Sequence, residues 1–99
     1  MGHPPPRRAL LLEAGRVRRG REGVLRGTGA LPARIPDIRS YRFGPDLRLG
    51  GGNEDFALVA DFDDADAYRR YAEHPAHRHL LAERLWPILA GRHSVQYEA

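Results

Sequence analysis

The sequence predicts an α+β subunit of βαββαβ order, the ferredoxin-like arrangement. Three observations carry this expectation. From residue 38 onward the pattern runs strand, loop, strand, helix, strand. The clearest strand, Asp55 to Phe62, is apolar on both faces, because Phe56, Leu58, Ala60 and Phe62 alternate with Ala57 and Val59. Such a strand needs cover on both sides, helices on one and a partner subunit on the other. One strand and one helix placed ahead of residue 38 complete the order.

Taken along the chain, residues 1–7 hold three consecutive prolines and are excluded from helix and strand interiors. Arg8 to Glu13 reads as a short strand. Gly15 to Gly29 holds five glycines and five arginines, with only Val17, Val24 and Leu25 as sizeable apolar residues. A helix there would lose roughly 1 kcal/mol per interior glycine and have almost no face to bury. Ile38 to Phe43 alternates, with Tyr41 and Phe43 on one face and Arg42 on the other. Gly44-Pro45-Asp46 turns the chain, and Gly50-Gly51-Gly52-Asn53 forms a loop. No Gly-Lys-Ser/Thr follows that triple glycine, which argues against a phosphate loop. After Asp55 to Phe62, Asp63 or Asp64 caps a helix whose apolar stripe is Ala67, Tyr68 and Tyr71. Pro75 ends it. A second helical stretch is expected over Ala76 to Leu89, carrying Leu81, Leu85, Ile88 and Leu89 on one face, with Pro87 kinking or ending it. His93 to Glu98 alternates as a final strand.

The composition narrows the function classes. The 99 residues form one small domain, and 41% of them are hydrophobic and 29% charged, an ordinary globular mix. There is no cysteine, which excludes disulfides, thiolate metal sites and a cysteine nucleophile. The longest aliphatic run, Ala9 to Leu12, is too short for a membrane span, so no membrane association and a cytoplasmic location are expected. All 16 basic residues are arginine, and the excess lies at the N-terminus, with a net charge of +5 over residues 1–30 and −2 over residues 31–99. Such an arm can bind phosphates. Nucleic-acid binding is disfavoured, however, because no aromatic residue is interleaved with the arginines to stack on bases.

The segments Phe56-Ala-Leu-Val-Ala-Asp-Phe-Asp-Asp, Tyr71-Ala-Glu-His-Pro-Ala-His77 and Val95-Gln-Tyr97 resemble the stress-responsive A/B barrel family, often called Dabb. Ile35-Pro36-Asp37-Ile38 and Gly44-Pro45-Asp46 resemble its stretch between first helix and second strand. The resemblance covers about residues 30–99. It implies a ferredoxin-like subunit and a homodimer whose two sheets face each other as a dimeric α/β barrel. No cofactor is expected, and most of the family has no assigned chemistry. Some similar members are plant polyketide cyclases that perform an intramolecular aldol condensation, and others are known as stress-associated dimers.

Residues 1–29 depart from the family pattern, so they are set apart as an atypical Arg/Gly/Pro-rich segment, with residues 30–99 as the A/B barrel domain. The family opens with a strand of the type His-x-Val-Leu-Phe, a Pro-Gly turn and an acidic-capped helix. Neither that first strand nor that first helix is visible here. Back-translated with plausible codons and shifted by one base, Leu12 to Gly29 reads Trp-Arg-Pro-Gly-Ala-Ser-Asp-Glu-Ala-Val-Arg-Ala-Tyr. That is a strand end, a turn, a cap and a helix. An out-of-frame reading of residues 1–29 is the expectation, and a divergent N-terminus is the alternative.

His77 and Tyr71 are the candidate catalytic residues. In the cyclases the matching histidine acts as general base and the matching tyrosine binds or polarises the substrate. Aldol closure needs a base of near-neutral pKa to take a proton beside a carbonyl. A phenol can hydrogen-bond the developing enolate oxygen. The plainer reading has His77 capping the helix after Pro75 and Tyr71 in the core. A small apolar ligand is the partner an enzyme of this kind would take. The first-strand histidine of the family has no counterpart, since His3 lies among the prolines. His74, His77 and His79 straddle the proline without a suitable carboxylate, so no metal is expected. Asp61, Asp63, Asp64 and Asp66 lack the glycine and distal glutamate of a calcium loop and read as helix-capping residues.

Overall fold

A computed structural model describes residues 7–18 and 29–99. Four antiparallel strands, β1 (Ala9–Val17), β2 (Ile38–Pro45), β3 (Phe56–Phe62) and β4 (Leu89–Glu98), form one sheet in the order β2-β3-β1-β4. Three helices lie on one face: α1 (Leu31–Arg34), α2 (Ala65–Glu73) and α3 (Pro75–Leu80), the last followed by a π-helical turn, Leu81–Leu85. None of the described helices is long and apolar enough to cross a membrane. This is the ferredoxin-like α+β layout expected from the order of elements.

The first strand corrects the sequence expectation. Composition supported a strand only from Arg8 to Glu13 and nothing regular from Gly15. In the structure β1 runs through Val17 and occupies the sheet interior, hydrogen-bonded to β3 on one edge and β4 on the other. Gly15 weakens strand propensity in isolation, but here it makes room for a ring. A Cβ at Gly15 would sit 2.6 Å from Cζ of Phe56. The strand end is pinned by Asp55, which accepts the Val17 N–H at 2.7 Å and Arg48 Nη2 at 2.8 Å. These two donors hold the Asp55 carboxyl below its ordinary range. Arg8 pairs with Asp61, and Arg16 with Glu54. The segment set apart at residues 1–29 thus supplies a strand to the same sheet as the residues after 30. The expected difficulty with the first helix falls on residues 19–28, which lie outside the described residues, as do residues 1–6.

The remaining elements follow their local chemistry. Asp64 caps α2, its side chain accepting the Ala67 N–H at 2.8 Å. His74, not His77, caps α3, with Nδ1 accepting the Ala76 N–H at 3.0 Å. Pro75 fits the first helical turn because its missing N–H would have no partner there. The expected second helix over Ala76 to Leu89 is too long. The α-helix ends at Leu80, the π turn ends at Leu85, and Leu89 already belongs to β4. Pro87 cannot supply the N–H that another helical turn needs, and β4 starts early because Leu89 pairs with Val17.

Alternation divides the sheet into two faces. The helix-covered face buries Ala9, Leu11, Leu58, Ala60 and Phe62, which meet Leu31, Ile35, Ala67, Tyr71, Leu80 and Leu85. The opposite face presents Leu12, Val59, Val95 and Tyr97, between 36% and 55% exposed, together with Ala57. Among the described residues nothing covers that second face.

Candidate functional site

The site lies where the helices meet the inner face of the sheet. Phe62 and Tyr71 pack with ring centroids 5.1 Å apart, and Tyr71 packs on His77 at 4.3 Å. Tyr71 projects from the buried stripe of α2 and His77 from the third residue of α3. The break at His74-Pro75 therefore brings together two residues that a single straight helix would separate. Both sequence candidates are deeply buried, at 2% exposure for Tyr71 and 6% for His77.

His77 Nδ1 lies 3.2 Å from the Ala72 carbonyl oxygen. A carbonyl only accepts, so Nδ1 carries the proton and Nε2 keeps the lone pair. Burial lowers the His77 pKa from its ordinary 6.5, and the Ala72 contact offsets part of that shift. The ring is accordingly neutral at pH 7. Burial likewise raises the phenols of Tyr41 and Tyr71 well above their ordinary range, so both remain protonated hydrogen-bond donors.

These side chains line a cavity with Leu31, Phe43, Phe56, Leu58 and the leucines of α3 and the π turn. Its free volume is about 20 Å³, room for one water-sized molecule. Two charged residues that sequence reasoning missed complete the wall. Glu13 of β1 and Arg92 of β4 point to the inner face and pair with each other through Arg92 Nη2. Their side chains are only 10% and 24% exposed. Arg92 also lies 5.5 Å from the centre of the Trp86 ring. Arg92 Nε and the Tyr41 hydroxyl are buried without a hydrogen-bond partner among the described residues. Tyr71 is the polar neighbour of Tyr41, and its hydroxyl offsets part of the rise that burial gives the Tyr41 phenol. A signal for Glu13 was present in the sequence, since it falls two residues after Leu11 on one face of the expected strand, whereas Arg92 is placed only by its pairing with Gly15.

The other sequence candidates disperse. His74 is engaged as a cap, while His79 is exposed. Asp61 and Asp63 pair with Arg8 and Arg39. Among the described residues no three metal-ligating side chains converge.

The buried neutral histidine gives a pH prediction. In the unfolded chain His77 titrates near its ordinary 6.5, and in the folded protein it resists protonation to lower pH. Its contribution to stability is complete above about pH 6.5 and is lost as pH falls below that value, until the folded ring also protonates. Urea titrations from pH 7.5 down to 5 should therefore show a steeper loss of stability in the native chain than in His77→Gln. Parallel curves would contradict the neutral, buried state.

A ferredoxin-like subunit with a histidine- and tyrosine-walled cavity is the class that fold and site define. The model of the stress responsive A/B barrel domain, Dabb, matches residues 12–99. The chain belongs to that family. It is 38% identical over 69 residues to an uncharacterised protein of Streptomyces coelicolor, a match covering 70% of this chain and 69% of that one. Among solved structures it is similar to a dimeric ferredoxin-like protein of unknown function from Thermobifida fusca, at 36% identity and a TM-score of 0.84, over 98% of this chain and 100% of that one. It shares its fold with the hydroxynitrile lyase of Passiflora edulis, at 14% identity and a TM-score of 0.82, over 96% and 95% of the two chains.

Proposed function

We propose that the chain works as a homodimer, and that each subunit's cavity takes a small apolar carbonyl compound on which His77 acts as general base. The observation that carries the reading is the His77 ring itself. It is buried and neutral, its Nδ1 is tied to Ala72, and its lone-pair nitrogen is available beside Tyr71 in an apolar cavity. In the proposed step His77 Nε2 takes a proton from the carbon next to the carbonyl. The electron pair moves onto the carbonyl oxygen, and a phenol hydrogen-bonds it. Reprotonation at carbon completes an exchange, and attack on a second carbonyl would complete an aldol closure.

The dimeric Thermobifida relative supports the homodimer, and so does the uncovered apolar sheet face. The hydroxynitrile lyase supports only the suitability of the fold for an enzyme, since function resides in the site. Any organic carbonyl compound exceeds a volume of about 20 Å³, so substrate entry requires the walls to part, by less for a compact ligand than for a polyketide chain. The π turn that lines the cavity supports a functional role too, because such turns recur at functional sites. Of the arginines that could serve nucleic-acid binding, Arg8 and Arg16 are engaged in ion pairs, and Arg19, Arg21 and Arg26 lie outside the described residues. A cytoplasmic location belongs to the same proposal.

The test is exchange of the α-hydrogens of butanone in deuterated water, followed by NMR. Catalysed exchange by the native chain is expected. His77→Gln should slow it by about 10²–10⁴, and Tyr71→Phe should reduce exchange more than binding. Exchange at the buffer rate in the native chain would remove the enzyme reading.

A further inference from the structure

The loop joining β2 to β3, residues 46–55, carries the two most exposed large apolar side chains among the described residues, Leu47 at 77% and Leu49 at 86%. A single exposed leucine is ordinary. Here two of them face one groove, on a loop that is fixed from within. The Asp46 N–H donates to the Asp55 carbonyl at 2.8 Å, and the Arg48 N–H donates to Asp46 Oδ2 at 2.9 Å. Arg48 Nη2 donates to Asp55 Oδ1 at 2.8 Å. The Asp55 N–H in turn donates to the Gly15 carbonyl at 2.7 Å, which ties the loop to β1. Arg48 has a φ of 59°, a left-handed conformation that is uncommon for a residue with a side chain. Its two hydrogen bonds hold it there, with a leucine on either side.

Leu47 and Leu49 line an open groove of about 490 Å³. Gly44, Ala57 and Ala14 line it too, and these three pair in register across β2, β3 and β1. Alternation puts them on the outer face of the sheet. Leu12 and Val59 of that face stand two residues along the strands from Ala14 and Ala57. The loop leucines, the groove and the uncovered sheet face are therefore one continuous apolar surface.

We infer that Leu47 and Leu49 form a strap for a second copy of this chain, packing on the outer sheet face of the partner subunit while the partner's loop returns the contact. This rests on the homodimer proposed above and names a contact that would hold it. In a twofold interface the same patch meets itself, so it must carry both a projection and a recess. This patch carries both, two projecting leucines beside a groove with small residues along it. A loop fixed before association also loses little freedom on binding. The dimeric Thermobifida relative, at 36% identity over 98% of this chain, favours a second copy as the occupant.

The chain has no cysteine, so a single introduced thiol reports its own accessibility. Maleimide labelling of the full chain compares Leu49→Cys with Gly51→Cys. Both positions are exposed in the subunit, and a Cβ at Gly51 meets nothing within 4 Å. In the dimer Leu49→Cys should react at least roughly tenfold more slowly than Gly51→Cys, and dilution to monomer should bring the two rates together. The Leu47→Ser/Leu49→Ser double variant should dimerise at least about a hundredfold more weakly in sedimentation, because four leucines would leave the interface. Its circular dichroism spectrum should match that of the native chain, since both side chains are exposed in the folded subunit. Equal labelling rates in the dimer, or an unchanged dimer affinity of the double variant, would overturn the strap and leave the homodimer standing. The loop would then be free for another kind of partner. A Leu49→Cys thiol that stays slow after dilution would overturn the strap too, because the same chain would then cover the loop. Native chain that sediments as a monomer would remove the homodimer and the strap together.

Discussion

Replacing Phe62 with alanine should leave much of the chain unfolded at room temperature. Phe62 has no solvent exposure, lies at the end of β3 and packs against both Tyr68 and Tyr71. Truncating a buried phenylalanine removes about 3–5 kcal/mol, part from lost transfer of the ring and part from the cavity left behind. Folded domains keep roughly 5–15 kcal/mol in total, and a 99-residue chain belongs near the lower end. The loss has a second effect. Tyr71 rests on Phe62 and His77 rests on Tyr71, so the cavity wall would loosen even in the molecules that stay folded. Urea denaturation followed by circular dichroism provides the measurement. A midpoint equal to that of the native chain would show that the site can collapse around the vacancy, and Phe62→Leu should be intermediate.

Val59→Asp should convert the proposed dimer to monomer. Val59 is at the centre of the uncovered face, paired in register with Leu12 of β1 and Arg42 of β2. In a twofold dimer each substitution occurs twice, so two carboxylates would enter the same apolar interface. The desolvation penalty is several kcal/mol per ion even after relaxation. Dimer affinity should fall by more than about a thousandfold, since each 1.4 kcal/mol is a factor of ten. Val59→Ile should keep the dimer. Sedimentation of the native chain as a monomer at micromolar concentration would defeat this expectation before any variant is made.

The fold was legible where one physical signal dominated. Alternation gave β2, β3 and the end of β4. The Asp64 cap and the Pro75 break bounded α2 correctly. β1 was half hidden for a specific reason. Gly15 and Arg16 look unfavourable alone, and their strand conformation depends on Phe56, Asp55 and Glu54, some forty residues away in sequence. The length of β4 was hidden for the same reason, because Leu89 to Arg92 become a strand by pairing with the far end of β1. At the site, His77 and Tyr71 were visible through the Tyr-x-x-His-Pro-x-His pattern, and the structure brings them together. Glu13 and Arg92 were not singled out in the sequence. The pairing of Gly15 with Arg92 and of Glu13 with Ser94 shows that both point beneath the helices.

That same pairing governs how the chain must reach its fold. β1 is synthesised before the other three strands, and its β4 partner is complete only when residues 89–98 have followed, with Ala9 opposite Glu98 and the Ala99 N–H donating to the Arg8 carbonyl at 2.9 Å. Contacts so distant in sequence form late, because the loop must close before they are rewarded. Until then one edge of β1, with its run of leucines, is open to any other strand in the vicinity. The nascent chain therefore passes through an aggregation-prone stage that a hairpin of neighbouring strands would avoid. Chaperones that shield extended apolar segments should raise the soluble yield of this chain most when they act before residues 89–98 are made.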